Sequence, residues 1–288
     1  MIEIKDLHFN YKSKFALEIE ELHINPGIVG LLGTNGAGKT TFFKIISTLL
    51  PYQSGHIKID DFELEARNYR DIRKILSYMP QDFDFFPSFK VHEVLAYFAV
   101  LKLIDSDQIP QRIEEVLAEV NMLMYKNAKA STLSGGLKRR LGFAISILNH
   151  PKILVLDEPT AGVDPKERIE LRNSIKKYSK DRLVIISTHI VEDIENLCDD
   201  LIVMLDGHIK YSGKTNIFIE NSPKVYEVTI EEAEMARYKD MGEIINVKYL
   251  DSNLIELTIV TRSPIEAVER KKNLESGYLY VQSQNSIY

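Results

Sequence analysis

The chain has 288 residues, 44% hydrophobic and 27% charged, which is room for one large domain and a small one. Its net charge of −6 supplies no basic field to attract nucleic acid, and its single cysteine, Cys198, excludes an internal disulfide and points to a reducing compartment. The longest apolar stretch, residues 91–104, is interrupted by His92, Glu93 and Lys102 and is too short to span a bilayer, and the first residues read as a strand rather than a signal peptide.

Residues 1–32 run in short apolar or alternating pieces around the Asn25-Pro26-Gly27 turn, the pattern of antiparallel strands leading into a buried strand at 28–32. Tyr11 sits on a polar turn among them, where it either half-packs on the sheet or stacks on a purine base. The stretch Gly33-Thr34-Asn35-Gly36-Ala37-Gly38-Lys39-Thr40 comes next, with helical pattern after it. Its G-x-x-x-x-G-K-T spacing lets backbone N–H groups close around a phosphate at a helix N-terminus. Lys39 is then placed to reach the β- and γ-phosphates, and the Thr40 hydroxyl to hold Mg²⁺.

A strand at 75–79 ends at Pro80-Gln81, so Gln81 lies where a strand meets a loop, a position at which a glutamine is usually only solvated. The connector after it carries Phe83, Phe85, Phe86 and Phe89, aromatic enough to require cover, by this chain or another. Residues 90–150 then turn helical in period, with Val91, Val94, Leu95, Phe98 and Leu101 on one face and Ile113, Val116, Leu117 and Val120 on another. Within this insert Leu133-Ser134-Gly135-Gly136 opens a helix, with Ser134 either a simple cap or an anion ligand.

The run Ile153-Leu154-Val155-Leu156 fits a strand buried on both faces and ends in Asp157-Glu158, at the sheet edge where open α/β folds place ligands. Adjacent strand residues face opposite ways, so one carboxylate is free to coordinate Mg²⁺ while the other addresses a water; capping a helix is the alternative. Asp164 reads as the N-cap of a helix over 166–178. A further buried strand at 183–186 delivers His189 to the same edge, where a histidine more often serves structure than chemistry. A hairpin over 201–211 closes the domain.

Taken together these motifs resemble the nucleotide-binding subunit of ATP-binding cassette (ABC) transporters over residues 1–215. They stand in that family's order: the base-stacking Tyr11, the Walker A loop 33–40, the glutamine loop at Gln81, the signature 133–136, the Walker B aspartate Asp157, the glutamate Glu158, Asp164 of the D-loop and the switch His189. One departure is Leu137, where the family's commonest signature has glutamine. The resemblance implies an α/β fold, a P-loop ABC ATPase domain with a mixed-sheet core, an antiparallel β subdomain and a helical insert over about 82–150. It implies ATP and Mg²⁺ as ligands, with Asn35, Gly36, Gly38, Lys39, Thr40 and Thr41 around the phosphates and Thr40, Gln81 and Asp157 near the metal. Glu158, His189 and Gln81 are the implied catalytic set, Ser134 and Gly136 complete the site of a second copy, and Asp164 is a further implied nucleotide-binding residue. A separate transmembrane permease, transport that is most like export, and a cytoplasmic location at the inner face of the membrane are implied by the same resemblance. A soluble cassette acting on ribosomes or DNA is the alternative, disfavoured because such proteins carry two cassettes or a long coiled coil.

Residues 222–288 lie beyond that likeness. Strands at 225–230, 243–250, 254–260 and 278–282, a turn at Asp251-Ser252-Asn253 and helices at 231–239 and 265–274 give the order β-α-β-β-α-β, a ferredoxin-like pattern. From residue 215 onward there are 8 basic and 12 acidic residues, so the tail carries −4 of the total charge and does not suit nucleic acid.

Overall fold

The computed structural model describes residues 1–12, 14–250 and 253–285; the expected turn at Asp251-Ser252 lies outside them. The chain divides into two units, Met1–Ile209 and Lys210–Tyr288.

The first unit begins with the antiparallel strands β1 (Ile2–Tyr11) and β2 (Lys14–Ile24), in which Ile2, Ile4, Leu17 and Ile19 point into one core. Strand β3 (Gly27–Leu32), buried from Ile28 to Leu32, leads into helix α1 (Lys39–Ile46). Strands β4 (Ser54–Ile59) and β5 (Phe62–Glu63) extend the antiparallel wing, and helix α2 (Tyr69–Ile75) precedes β6 (Leu76–Met79). Helices α3 (Val91–Leu101), α4 (Ile109–Glu119) and α5 (Gly135–Ile147) form the helical insert; α3 and α4 each bury one stripe, Val91, Val94 and Leu95 on the first and Ile113, Val116 and Leu117 on the second, while α5 is buried on most sides, with Arg140 through Ala144 all buried. Strand β7 (Ile153–Asp157), helix α6 (Pro165–Tyr178), strand β8 (Leu183–Thr188), helix α7 (Val191–Leu197) and strand β9 (Asp200–Leu205) complete the order, and strand β10 (His208–Lys214) begins here and continues past the division at Ile209.

The large sheet runs β5-β4-β1-β2-β10-β9-β3-β8-β7-β6. From β9 to β6 it is parallel, which is why β7 and β8 are apolar on both faces. Strand register brings the carboxyl ends of β3, β6, β7 and β8 level, since Leu32 pairs with Thr188, Asp157 with Ser187, and Met79 with Leu156. The loops after these strands therefore open on one edge.

The second unit contains α8 (Thr215–Asn221), β11 (Lys224–Glu231), α9 (Met235–Met241), β12 (Glu243–Tyr249), β13 (Leu254–Thr261), β14 (Val268–Arg270) and α10 (Leu274–Asn285). Its sheet has the order β12-β13-β11-β14, antiparallel throughout, so β13 inserts between β11 and β12 as in a split β-α-β unit. Two expectations fail here. The helix expected at 265–274 is a loop and the short strand β14, held to β11 by Lys224–Glu269 and Arg270–Glu227 ion pairs that a helix would forfeit. The strand expected at 278–282 lies inside α10, whose start is fixed by the Asn273 side chain accepting the Ser276 amide at 2.8 Å.

Candidate functional site

The glycine loop between β3 and α1 takes the conformation that its spacing requires. Gly38 has φ 104°, and a Cβ there would stand 2.7 Å from the Leu17 side chain and 3.0 Å from the Ala16 carbonyl, so only glycine lets the loop close against β2. Lys39, the first residue of α1, is buried and folds back over the loop, donating to the carbonyls of Gly33 at 2.7 Å and Thr34 at 2.9 Å. Desolvation pulls its amine below the ordinary lysine range, while the Glu158 and Asp157 charges pull the other way. A lysine satisfied only by loop carbonyls is ready to exchange them for a stronger anionic partner.

Across the edge, Glu158 follows β7 with φ 47°, a left-handed conformation that costs a non-glycine residue energy and is found where the surrounding structure enforces it. Its amide donates to the Ser187 carbonyl at 3.1 Å and to the Ser187 hydroxyl at 3.0 Å, which turns the carboxylate toward the glycine loop. One carboxylate oxygen accepts from Gln81 Nε2 at 3.2 Å and the other lies 3.3 Å from His189 Nδ1. Glu158 is buried while the His189 side chain is half exposed, so the carboxylate forms the wall of the site and the imidazole its rim.

Asp157 sits one residue deeper, 1% exposed. The Ser187 hydroxyl donates to its Oδ1 at 2.5 Å and the Tyr78 hydroxyl to its Oδ2 at 3.1 Å. Burial, then the Asp157 charge, pushes the Tyr78 phenol well above its ordinary range and keeps it a donor.

Lys39, Gln81, Glu158 and His189 border one cleft of about 840 Å³, lined also by Tyr11, Asn35, Gly36, Gly38, Thr40 and Thr41 among others. Tyr11 is 45% exposed; its ring packs edge-on against Phe9 at 4.8 Å and its hydroxyl lies 3.4 Å from the Thr41 hydroxyl. The contact with Phe9 is the half-packed arrangement on the sheet, and the residue also lines the cleft. Sequence reasoning missed Ala16, Asp206 and Gly207 on the cleft wall, and Ser187 and Tyr78 beneath it. The signal for Ser187 was present, since a serine inside a strand otherwise buried is rarely without a polar partner.

Ser134, Gly136 and Asp164 do not line this cleft. Ser134 caps α5, its hydroxyl accepting the Leu137 amide at 3.2 Å, and Asp164 caps α6, accepting from the Glu167 amide at 3.1 Å. Gly136 is buried beneath the Glu167 side chain, which Arg140 holds through Nε at 2.9 Å and Nη2 at 2.5 Å.

A divalent cation fits the residues present. Among the described residues no group of three or more His, Cys, Asp or Glu side chains converges, but Mg²⁺ takes few protein ligands, leaning on one or two oxygens plus water and substrate phosphates. The Thr40 hydroxyl on the cleft wall and Asp157, oriented by two hydroxyl donors, are such a pair. Among the described residues no helix is long and apolar enough to cross a membrane.

Residues 18–161 match the ABC transporter family. An uncharacterized ABC transporter ATP-binding protein of Bacillus subtilis, YxlF, is 31% identical over 243 residues, 81% of this chain and 80% of that protein. The human phospholipid-transporting ATPase ABCA3 is 28% identical over 85% of this chain, which spans only 15% of that protein's length. Among solved structures, the dimeric bacterial ABC transporter cassette MJ0796 superposes with TM-score 0.67 at 25% identity, covering 74% of this chain and 98% of the other.

Proposed function

The chain belongs to the ABC transporter family, whose cassettes are ATPases, and from that premise we propose how its own residues bind and hydrolyse ATP and what the hydrolysis drives. The observation that carries the reading is the bridge at the sheet edge, where Glu158 is held between Gln81 and His189 directly across from the Lys39 loop.

The loop amides from Asn35 to Thr41 cradle the phosphates, Lys39 exchanges its two carbonyl partners for β- and γ-phosphate oxygens, and Tyr11 stacks on the adenine. Thr40 and Asp157, with Gln81 nearby, hold Mg²⁺, which when bound neutralises charge on the phosphates. Water attacks the γ-phosphorus in line with the departing ADP oxygen, and Glu158 orients that water and accepts its proton. His189 donates to a γ-phosphate oxygen as charge spreads over it in a loose transition state.

Ser134 and Gly136 do not line their own cleft, which supports the reading that they complete the site of a second copy, with Asp164 a further nucleotide-binding residue, so that ATP joins two subunits and hydrolysis releases them. The partner we propose is a transmembrane permease, with transport in the export direction and a cytoplasmic position at the inner membrane face. An apolar surface supports a docking site: Phe86 is 48% exposed and edge-on to Tyr97, with Val100, Leu101 and Leu103 also exposed. The domain division, residues 1–215 as cassette and 222–288 as an accessory domain, belongs to the same proposal.

The test is to trap the ATP-bound form with Glu158→Gln, extract it from its native cells in mild detergent with Mg²⁺ and ATP, and identify what co-purifies. A stoichiometric polytopic membrane protein supports the transporter reading. Ribosomes or DNA without one would replace it with the soluble alternative.

A further inference from the structure

Helix α5 carries a basic side chain that none of the proposed roles uses. Arg139 lies one turn beyond Ser134, half-buried, and its Nη1 donates to the backbone carbonyl of Gln81. Its guanidinium sits over the Phe83 ring, 5.3 Å from the centroid. One turn further along the helix, Gly142 leaves room for the same ring: a Cβ at that position would come within 2.4 Å of Phe83. The ring is thus clamped between a glycine gap and a planar cation, and the carbonyl two residues earlier is pinned by the same cation. The fixed residue is Gln81, whose side chain donates to Glu158.

We propose that Arg139 is a positioning residue: it fastens Gln81, and through Gln81 the Glu158 carboxylate, to the helix whose first turn presents Ser134. A shift of α5 then moves the Gln81 carbonyl with it, so the helix that faces a second copy's nucleotide reports its position to the water-orienting carboxylate of its own site. This rests on the proposed role of Glu158. Arginine suits the task because one planar group both donates to the carbonyl and covers the ring, whereas lysine supplies a donor without the stacking face.

The experiment is a double-mutant cycle on the purified full-length chain, reading kcat and KM for ATP in Arg139→Met, Gln81→Ala and the double variant. Arg139→Met keeps the apolar stem and removes the donor. Its kcat is expected to fall about tenfold with KM for ATP within about twofold, a fraction of the ~10²-fold that misplacing a reacting group costs. In the Gln81→Ala background, with no amide left to aim, the same change is expected to cost under about twofold. Arg139→Lys is expected to restore part of the rate.

Equal losses in both backgrounds, or no loss in either, would overturn the proposal. If Arg139→Met does not fold, Phe83→Leu, which loosens the clamp from its other side, is read in the same cycle by the same criteria. Glu158→Gln serves as the control: wild-type turnover by that variant would remove the underlying reading, whereas a dead Glu158→Gln beside a fully active Arg139→Met removes only this inference.

Discussion

Ser187 serves two neighbours at once: its hydroxyl donates to Oδ1 of Asp157 at 2.5 Å and accepts the amide of Glu158 at 3.0 Å. A single buried oxygen on β8 thus fixes both residues that end β7, the inner one by its carboxylate and the outer one, which lines the cleft, by its backbone amide.

Ser187→Ala removes that donor and leaves a fully buried carboxylate oxygen without its hydroxyl, at a cost of about 1–3 kcal/mol in stability. The Mg²⁺ concentration for half-maximal hydrolysis is expected to rise roughly tenfold, as when an outer-shell partner of a metal ligand is lost. Denaturant melts and a Mg²⁺ titration of ATPase activity check both parts; an unchanged Mg²⁺ dependence would mean that Asp157 is not the metal's residue.

Lys102 should make stability depend on alkaline pH. Its ammonium donates to the Ser77 hydroxyl at 2.8 Å and the Asn149 side chain at 2.9 Å, and burial pulls its pKa from 10.5 down to about 8. Below pH 8 the amine is charged in both folded and unfolded chains, and the desolvation penalty is fully present. Between pH 8 and 10.5 the unfolded chain binds more protons than the folded one, so the penalty is relieved as pH rises. The stability of the wild type relative to Lys102→Met is expected to increase by of order 1 kcal/mol from pH 8 to pH 10. A flat difference over that range would place the amine in water.

How far the sequence discloses this molecule depends on how local the cause is. The phosphate loop is legible because G-x-x-x-x-G-K-T needs nothing beyond its own backbone, and the level strand ends are legible because buried parallel strands are apolar throughout. Gln81, Glu158 and His189 fall together for that reason. Ser187 and Tyr78 stay hidden because their role depends on register between strands distant in the chain, which single-strand patterns do not report. In the tail, the aromatic run at 278–281 carries strand propensity, yet the Asn273 cap turns it into helix α10, and cross-strand ion pairs convert an expected helix into β14. The proposed docking surface is only partly legible in the sequence: the aromatic connector is evident, but Phe83 is taken up by α5, leaving Phe86 as its exposed member.

The exposure of Phe86 beside a half-buried Phe83 yields a mutational contrast. Phe86→Asp is expected to leave basal ATPase activity within about twofold, since a surface change away from buried features costs little. It is expected to abolish co-purification of the proposed membrane partner. Retention of that partner at wild-type stoichiometry would move the docking surface elsewhere.

The central claim, that Glu158 completes hydrolysis at a site closed by a second copy, is tested most directly by Glu158→Gln in the presence of Mg²⁺ and ATP, following molar mass by light scattering and phosphate release on the same sample. The account predicts an ATP-dependent shift from the 33.1 kDa chain to a dimer, with phosphate release slowed at least about 10²-fold, the lower end of what a general base contributes. A monomer that releases phosphate at the wild-type rate would contradict it.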